Sequence, residues 1–140
     1  MTVKKQSGSK SMAAKKKGGK QGAPITAVGV INIQATHNNT IINCANQRSQ
    51  TVCQASGGVG RTFKNSRKST GEAAEIAAKQ VGEYVKARGM SIVAIRLKGA
   101  GQGGPGAVRG LVLAGLSVST ISDVTGVPHN GVKKKKRQRK

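Results

Sequence analysis

At 140 residues, the chain has room for one ordinary domain. Its 25 Lys and Arg against four Asp and Glu give a formal net charge of +21 and a pI near 11.2. An acidic enzyme surface, a long helical repeat and a membrane span all fit poorly. Repulsion at this charge opposes compaction unless something anionic supplies counter-charge, so composition points to a protein that works on nucleic acid.

The charge is concentrated at the ends. Residues 1–20 hold seven lysines and no acid, and the last eight residues hold seven basic side chains. Fourteen of the 25 positive charges therefore lie in two tails. The reading divides the chain into a basic N-terminal extension (1–22), a folded domain (23–127) and a basic C-terminal tail (128–140). With almost nothing apolar to bury, the tails are expected to order only on a partner. A nucleic-acid arm explains them best, and a nuclear-localisation patch is compatible with the same composition. No apolar stretch follows the first lysines, so they do not read as a signal peptide. No window approaches eighteen apolar residues, so no spanning helix and no membrane partner are expected.

In chain order, residues 25–33 read as a strand through Val28, Val30 and Ile33. Residues 40–46 and 50–55 are two further β-rich runs separated by Gln47-Arg48-Ser49, which suggests a hairpin. Ser69 followed by Glu72 reads as a capping box opening a helix that runs to Arg88. Ala74, Ala77, Ala78, Val81 and Val85 form its buried face, and Gly89 is its stop. Residues 91–97 are a strand, a glycine loop follows from Gly99, and Pro105 stands at a second helix start. Val108, Leu111, Val112 and Leu116 are expected to be that helix's apolar stripe. Residues 117–124 return to extended character. The class is α/β: a single domain with a mixed five-stranded sheet in the order β-β-β-α-β-α-β. Phe63 and Tyr84 are the only aromatics, so aliphatic and alanine packing must fill the core.

Candidate sites follow from charge and helix starts. Arg61, Lys64, Arg67 and Lys68 precede a helix N-terminus whose amides attract anions, and Ser69 and Thr70 complete a phosphate clamp. The loop Gly99-Ala100-Gly101-Gln102-Gly103-Gly104 satisfies G-x-G-x-x-G after a strand, with Asp123 near the distance of a ribose-binding acid. It is the strongest enzyme-like feature, and it defines the runner-up reading, a small nucleotide-binding enzyme. Lys98 and Arg109 on either side suit a polymer backbone at least as well. Cys44 and Cys53 face each other across the predicted hairpin. With His37 and His129 they resemble a zinc set, but neither C-x-x-C nor H-x-x-x-H occurs, and buried free thiols are the better reading. Catalytic residues, metal and cofactor are all expected to be absent. His37-Asn38-Asn39-Thr40 is a turn, and Pro128-His129-Asn130-Gly131 is a bend that launches the tail. One Tyr and one Phe supply no stacking platform. Backbone recognition of a large folded RNA remains, and a free DNA-compacting protein is a third reading.

Several motifs together resemble one family. Asn38-Asn39-Thr40-Ile41, Gly57-Gly58, Ser66-Arg67-Lys68-Ser69-Thr70 and Ile121-Ser122-Asp123-Val124-Thr125 are followed by Pro128-His129-Asn130-Gly131 and a basic end. This order is similar to that of the eleventh protein of the small ribosomal subunit, bacterial or organellar type, over about residues 25–136. The resemblance implies a mixed α/β structural protein of the small subunit, without cofactor or catalytic activity. It would bind small-subunit rRNA in the platform near the mRNA exit site, with neighbouring ribosomal proteins and mRNA as further partners. It further implies rRNA contacts from Arg67, Lys68, Ser69, His129 and Asn130, and from Lys133, Lys134, Lys135, Lys136 and Arg137. The family often carries G-P-G-x-G-R where this chain has Gly99–Gly104, so amide or water-mediated contacts are expected there in place of an arginine. The Lys133–Lys136 run replaces a more proline-containing ending, which suggests a differently routed tail. A mitochondrial ribosome is the expected home, with a plastid or the bacterial cytoplasm as alternatives.

Overall fold

The structure is a computed structural model that describes residues 26–58 and 63–137. The expected N-terminal extension, Arg61 and the last three residues lie outside the described residues. Eight elements follow in order. Strands β1 (Val28–Ala35), β2 (Thr40–Asn46) and β3 (Thr51–Ser56) lead into a 3-10 turn, Asn65–Ser69. Helix α1 (Gly71–Ala87), β4 (Ile92–Lys98), α2 (Gly103–Leu113) and β5 (Ser117–Asp123) complete the domain. The sheet order is β3-β2-β1-β4-β5, antiparallel through β1, β2 and β3 and parallel from β1 to β4 and from β4 to β5. This is the mixed five-stranded arrangement the sequence predicts.

Strand boundaries follow from pairing. The amides of Ser91 and Ile92 both donate to the Ala27 carbonyl, at 3.0 and 3.1 Å, and the strand pairing starts at Val28, so Thr26 and Ala27 of the expected strand lie outside it. At the other end Gln34 and Ala35 still pair with Ile41 and Thr40, which carries β1 beyond Ile33. Alternation along β1 is clean: Ile31, Ile33 and Ala35 are buried, whereas Asn32 and Gln34 are exposed. The hairpin expected at residues 47–49 closes on a Ser49 amide that donates to the Asn46 carbonyl at 3.0 Å, with Ser49 itself at φ 59.

The core lies between the helices and one face of the sheet. Ile31, Ile33, Ile42, Val93 and Ile95 meet Ala74, Ala77, Ala78, Val81 and Val85 of α1. Neither aromatic belongs to this cluster, and Tyr84 is exposed. The alanine face predicted for α1 is the one that is buried. Gly89, at φ +94, ends α1 in a Schellman turn: its amide reaches the Lys86 carbonyl and the Met90 amide reaches Val85. Met90 is thereby driven into the core beside Val85.

Helix α2 departs from expectation. It buries Gly103, Gly104, Gly106, Ala107, Gly110 and Leu111, whereas Val112 is 55% exposed. Of the expected stripe, Leu111 and Leu116 are buried and Val108 packs partly against the core, so Val112 alone departs; what the stripe does not show is that α2 touches α1 through missing side chains. A Cβ on Gly106 would strike the Gly71 carbonyl, and one on Gly110 would strike the Glu75 carbonyl. With Ala114, these make a small residue at every fourth position, and the two backbones meet almost directly. The helix also begins at Gly103, two residues before Pro105. Proline is tolerated in the first turn, where amides lack intrahelical partners. Among the described residues, no helix is long and apolar enough to cross a membrane.

Candidate nucleic-acid interface

Parallel strands β1 and β4 end on the same side of the sheet on which α1 and α2 begin. Three connections meet along this edge: residues 36–39 after β1, the 3-10 turn before α1, and the glycine loop before α2. Each is held by its own hydrogen bonds. In the first, the Thr36 hydroxyl donates to the Asn39 carbonyl at 2.8 Å and accepts from the Asn39 amide at 3.1 Å. The Asn39 side-chain oxygen takes the Thr40 amide at 2.9 Å, which turns the chain into β2.

The second connection corrects the predicted capping box. Thr70, not Ser69, is the N-cap: its hydroxyl accepts from the Ala73 amide at 3.3 Å and donates to the Arg67 carbonyl at 2.8 Å. Ser69 belongs to the preceding 3-10 turn, where its hydroxyl donates to the Ser66 carbonyl at 2.9 Å. Thr70 therefore clasps the basic turn to the helix mouth. Arg67 is exposed and Lys68 half-buried. The turn, unseen in the sequence reading, is short and carries no buried residue that would betray its period.

An open cleft of about 400 Å³ separates His37, Asn38 and Asn39 from Asn65, Ser66, Lys68 and Ser69. The expected clamp residues Lys68 and Ser69 thus share a site with a loop that the sequence reading treated only as a turn. The available signal was Thr36 with Asn39, a pair that builds side-chain-supported turns. The cleft combines a cation, hydroxyls, amides and the mouth of α1. That is chemistry for a phosphate flanked by polar sugar or base edges.

The glycine loop is differently employed from the expectation. The Gly101 amide donates to the Ala35 carbonyl at 3.1 Å, and the Gly99 amide to the Thr125 hydroxyl at 3.0 Å. Gly99 sits at φ +100, where an added Cβ would strike the Ala35 carbonyl, so no side chain could be accommodated. The glycines therefore bring the loop down onto the end of β1, and two of the expected phosphate-facing amides are engaged internally. Asp123, the candidate ribose acid, accepts from the Thr125 hydroxyl at 2.6 Å and its amide at 2.9 Å. These bonds hold its carboxyl below the usual carboxylate range, with the hydroxyl the larger cause. The carboxylate braces the chain as it leaves β5.

The remaining candidates are spread out. Lys64 precedes the 3-10 turn and Lys98 ends β4, both exposed. Arg109 lies further along α2, 3.8 Å from Glu75, and is not brought to the edge. Residues from Val124 to Arg137 are exposed. A bend occurs where expected: Asn130 adopts φ 51, and its side-chain oxygen accepts from the Lys133 ammonium at 3.0 Å. Cys44 and Cys53 are register partners on β2 and β3. The Cys44 thiol also lies 3.7 Å from the Met90 sulfur. Among the described residues, no three His, Cys, Asp or Glu side chains gather as metal ligands would.

Fold and edge together define a small α/β protein with a basic C-terminal stretch and a polar rim that carries cations. The model of the family described as Ribosomal protein S11 matches residues 29–139, and the chain belongs to that family. It is 41% identical over 128 residues to small ribosomal subunit protein uS11 of Vesicomyosocius okutanii subsp. Calyptogena okutanii, covering 91% of this chain and 99% of that one. It is 45% identical over 112 residues to uS11 of Nitratidesulfovibrio vulgaris, with 80% and 86% of the two chains covered. The uS11c protein of Cyanidioschyzon merolae is likewise 45% identical over 112 residues, 79% of this chain and 91% of that one. The chain is a structural, rRNA-binding protein of the small ribosomal subunit. Family identity argues against an enzyme.

Proposed function

We propose that this protein fastens rRNA in the platform of the small subunit near the mRNA exit site. Phosphates are held by Lys64, Arg67, Lys68 and Ser69 at the mouth of α1, by Arg61 earlier in the same sequence segment, and by Lys98 at the end of β4. The arm from His129 and Asn130 through Lys133, Lys134, Lys135, Lys136 and Arg137 runs along an RNA groove, and the N-terminal extension adds a second basic arm. Arg109 sits on the helix flank, away from this edge. Neighbouring small-subunit proteins and mRNA passing the exit site complete the partners. The observation that carries this reading is the cleft in which Lys68 and Ser69 meet His37, Asn38 and Asn39 beside the start of α1. Neutral amides and hydroxyls around one cation suit a backbone turn better than a linear duplex.

The test is binding of the full chain to small-subunit rRNA, with contacts mapped by footprinting. Arg67→Ala with Lys68→Ala is expected to weaken binding roughly ten- to a hundredfold and to unprotect platform nucleotides. Unchanged affinity and an unchanged footprint would remove the cleft from the interface. The nucleotide-enzyme alternative has lost its geometric support, since Asp123 and the amides of Gly99 and Gly101 are already engaged. For the compartment, the mitochondrial expectation is decided by fractionating native cells. A small-subunit peak in mitochondria upholds it, and a peak elsewhere overturns it.

A further inference from the structure

Both helices cover the same face of the sheet, and no described element lies over the other. On that bare face the strand registers align one side chain from every strand: Gln54, Asn43, Asn32, Arg96 and Ser122. The row crosses four interstrand gaps, about 19 Å in all. Four of its five members are amides or a guanidinium. Arg96 is its one charge, Lys98 follows two positions on along β4, Arg48 stands in the bordering hairpin turn, and no carboxylate projects from the outward positions. Beside the row is an open depression of about 200 Å³. In its wall the side-chain oxygens of Asn43 and Asn46 are shielded from solvent and have no hydrogen-bond partner.

We propose that this bare face is a second rRNA-docking surface, which receives the shallow minor groove of a duplex segment along the row Gln54–Asn43–Asn32–Arg96–Ser122. The inference builds on the chain's rRNA-binding role but not on the cleft at the edge where α1 begins. Amides both donate and accept, as the 2′-hydroxyls lining an RNA minor groove do. The exposed amides of Asn32 and Gln54 present both donors and acceptors at the surface, where such hydroxyls and exocyclic base amines can meet them. Arg96 and Lys98 match the flanking phosphates, and a face without aromatic residues lacks the ring platforms on which splayed bases stack. A protein partner fits less well: interface cores favour aromatic and large apolar residues. Here the floor is Val30 and Ala45.

The experiment uses two exposed, isosteric changes, Asn32→Asp with Gln54→Glu, in the full chain. They place carboxylates where phosphates and sugars would approach, while circular dichroism and thermal melting report whether the fold survives. The expected result is a loss of roughly tenfold or more in affinity for small-subunit rRNA. A duplex footprint distinct from the one lost with Arg67→Ala/Lys68→Ala should disappear with it. Full affinity with an unchanged footprint would overturn the proposal, whatever the cleft variant does. In assembled subunits, photocrosslinks from the peptides carrying Asn32 or Gln54 to rRNA support it. Crosslinks from them to a neighbouring protein in place of rRNA overturn it.

Discussion

At the scale of single residues, Thr70 joins two functions in one hydroxyl. It caps α1 and holds the carbonyl of Arg67, so its loss should affect stability and RNA binding together. Thr70→Ala is expected to cost about 1 kcal/mol in chemical denaturation of the full chain, whereas Thr70→Ser keeps most of it. Equal stabilities for alanine and threonine would deny the cap. The two thiols should separate in reactivity. The Cys44 thiol hydrogen-bonds toward Cys53 and, helped by nearby Arg88, holds the Cys53 thiol below its ordinary value; the same pairing and burial push Cys44 up. Iodoacetamide at neutral pH should therefore label Cys53 first, as peptide mass mapping would read out. Faster labelling of Cys44 would contradict this arrangement. The sequence showed that these cysteines sit opposite each other, because numbering around a hairpin does so. Which sulfur is reactive depended on the pairing itself, on the deeper burial of Cys44, and on Arg88 at the end of α1, which lies near Cys53.

At the scale of elements, the buried face of α1 was legible, although its cap fell to Thr70 in place of Ser69, and the glycine face of α2 was not. A helix that buries aliphatic side chains announces itself by periodicity. One that buries its backbone does so only through small residues, which loops also favour. The contact between Gly106, Gly110 and Ala114 of α2 and the Gly71–Gly82 side of α1 makes a clear contrast. Gly110→Leu should destabilise by about 3 kcal/mol, because backbone atoms cannot yield as a flexible side chain would. Val112→Ala, at an exposed site, should leave the melting temperature within a few degrees of the parent. A drop for Val112→Ala as large as that for Gly110→Leu would restore the valine stripe the sequence suggested. Strand ends were misread for a related reason: Asn32 and Gln34 lower the apparent hydrophobicity of β1 but lie on its uncovered face. The 3-10 turn was missed because nothing in it is buried, so no pattern marks it.

At the scale of the whole molecule, charge is divided between a modest folded body and long cationic ends. Of the 25 basic residues, seven lie in the last eight positions and seven in the first twenty, so each end is expected to add a comparable share of the attraction for RNA. Removing residues 133–140 deletes seven basic side chains. The slope of log affinity against log salt for rRNA should flatten by several units, up to about six if each charge meets a phosphate. An unchanged slope, measured by filter binding across salt concentrations, would show the arm to be idle.

The chain's partner class, its α/β order and its alanine-faced helix were determined by the sequence alone, since net charge, capping signals and periodicity are local or additive quantities. Only the tertiary structure decided that His37–Asn39 lines the cleft with Lys68 and that the glycine loop is closed onto β1. It alone showed that five separate polar residues form a single row on an uncovered face. Each of these depends on which strands are neighbours and in what register. Long-range pairing sets that relation, and no window of sequence contains it.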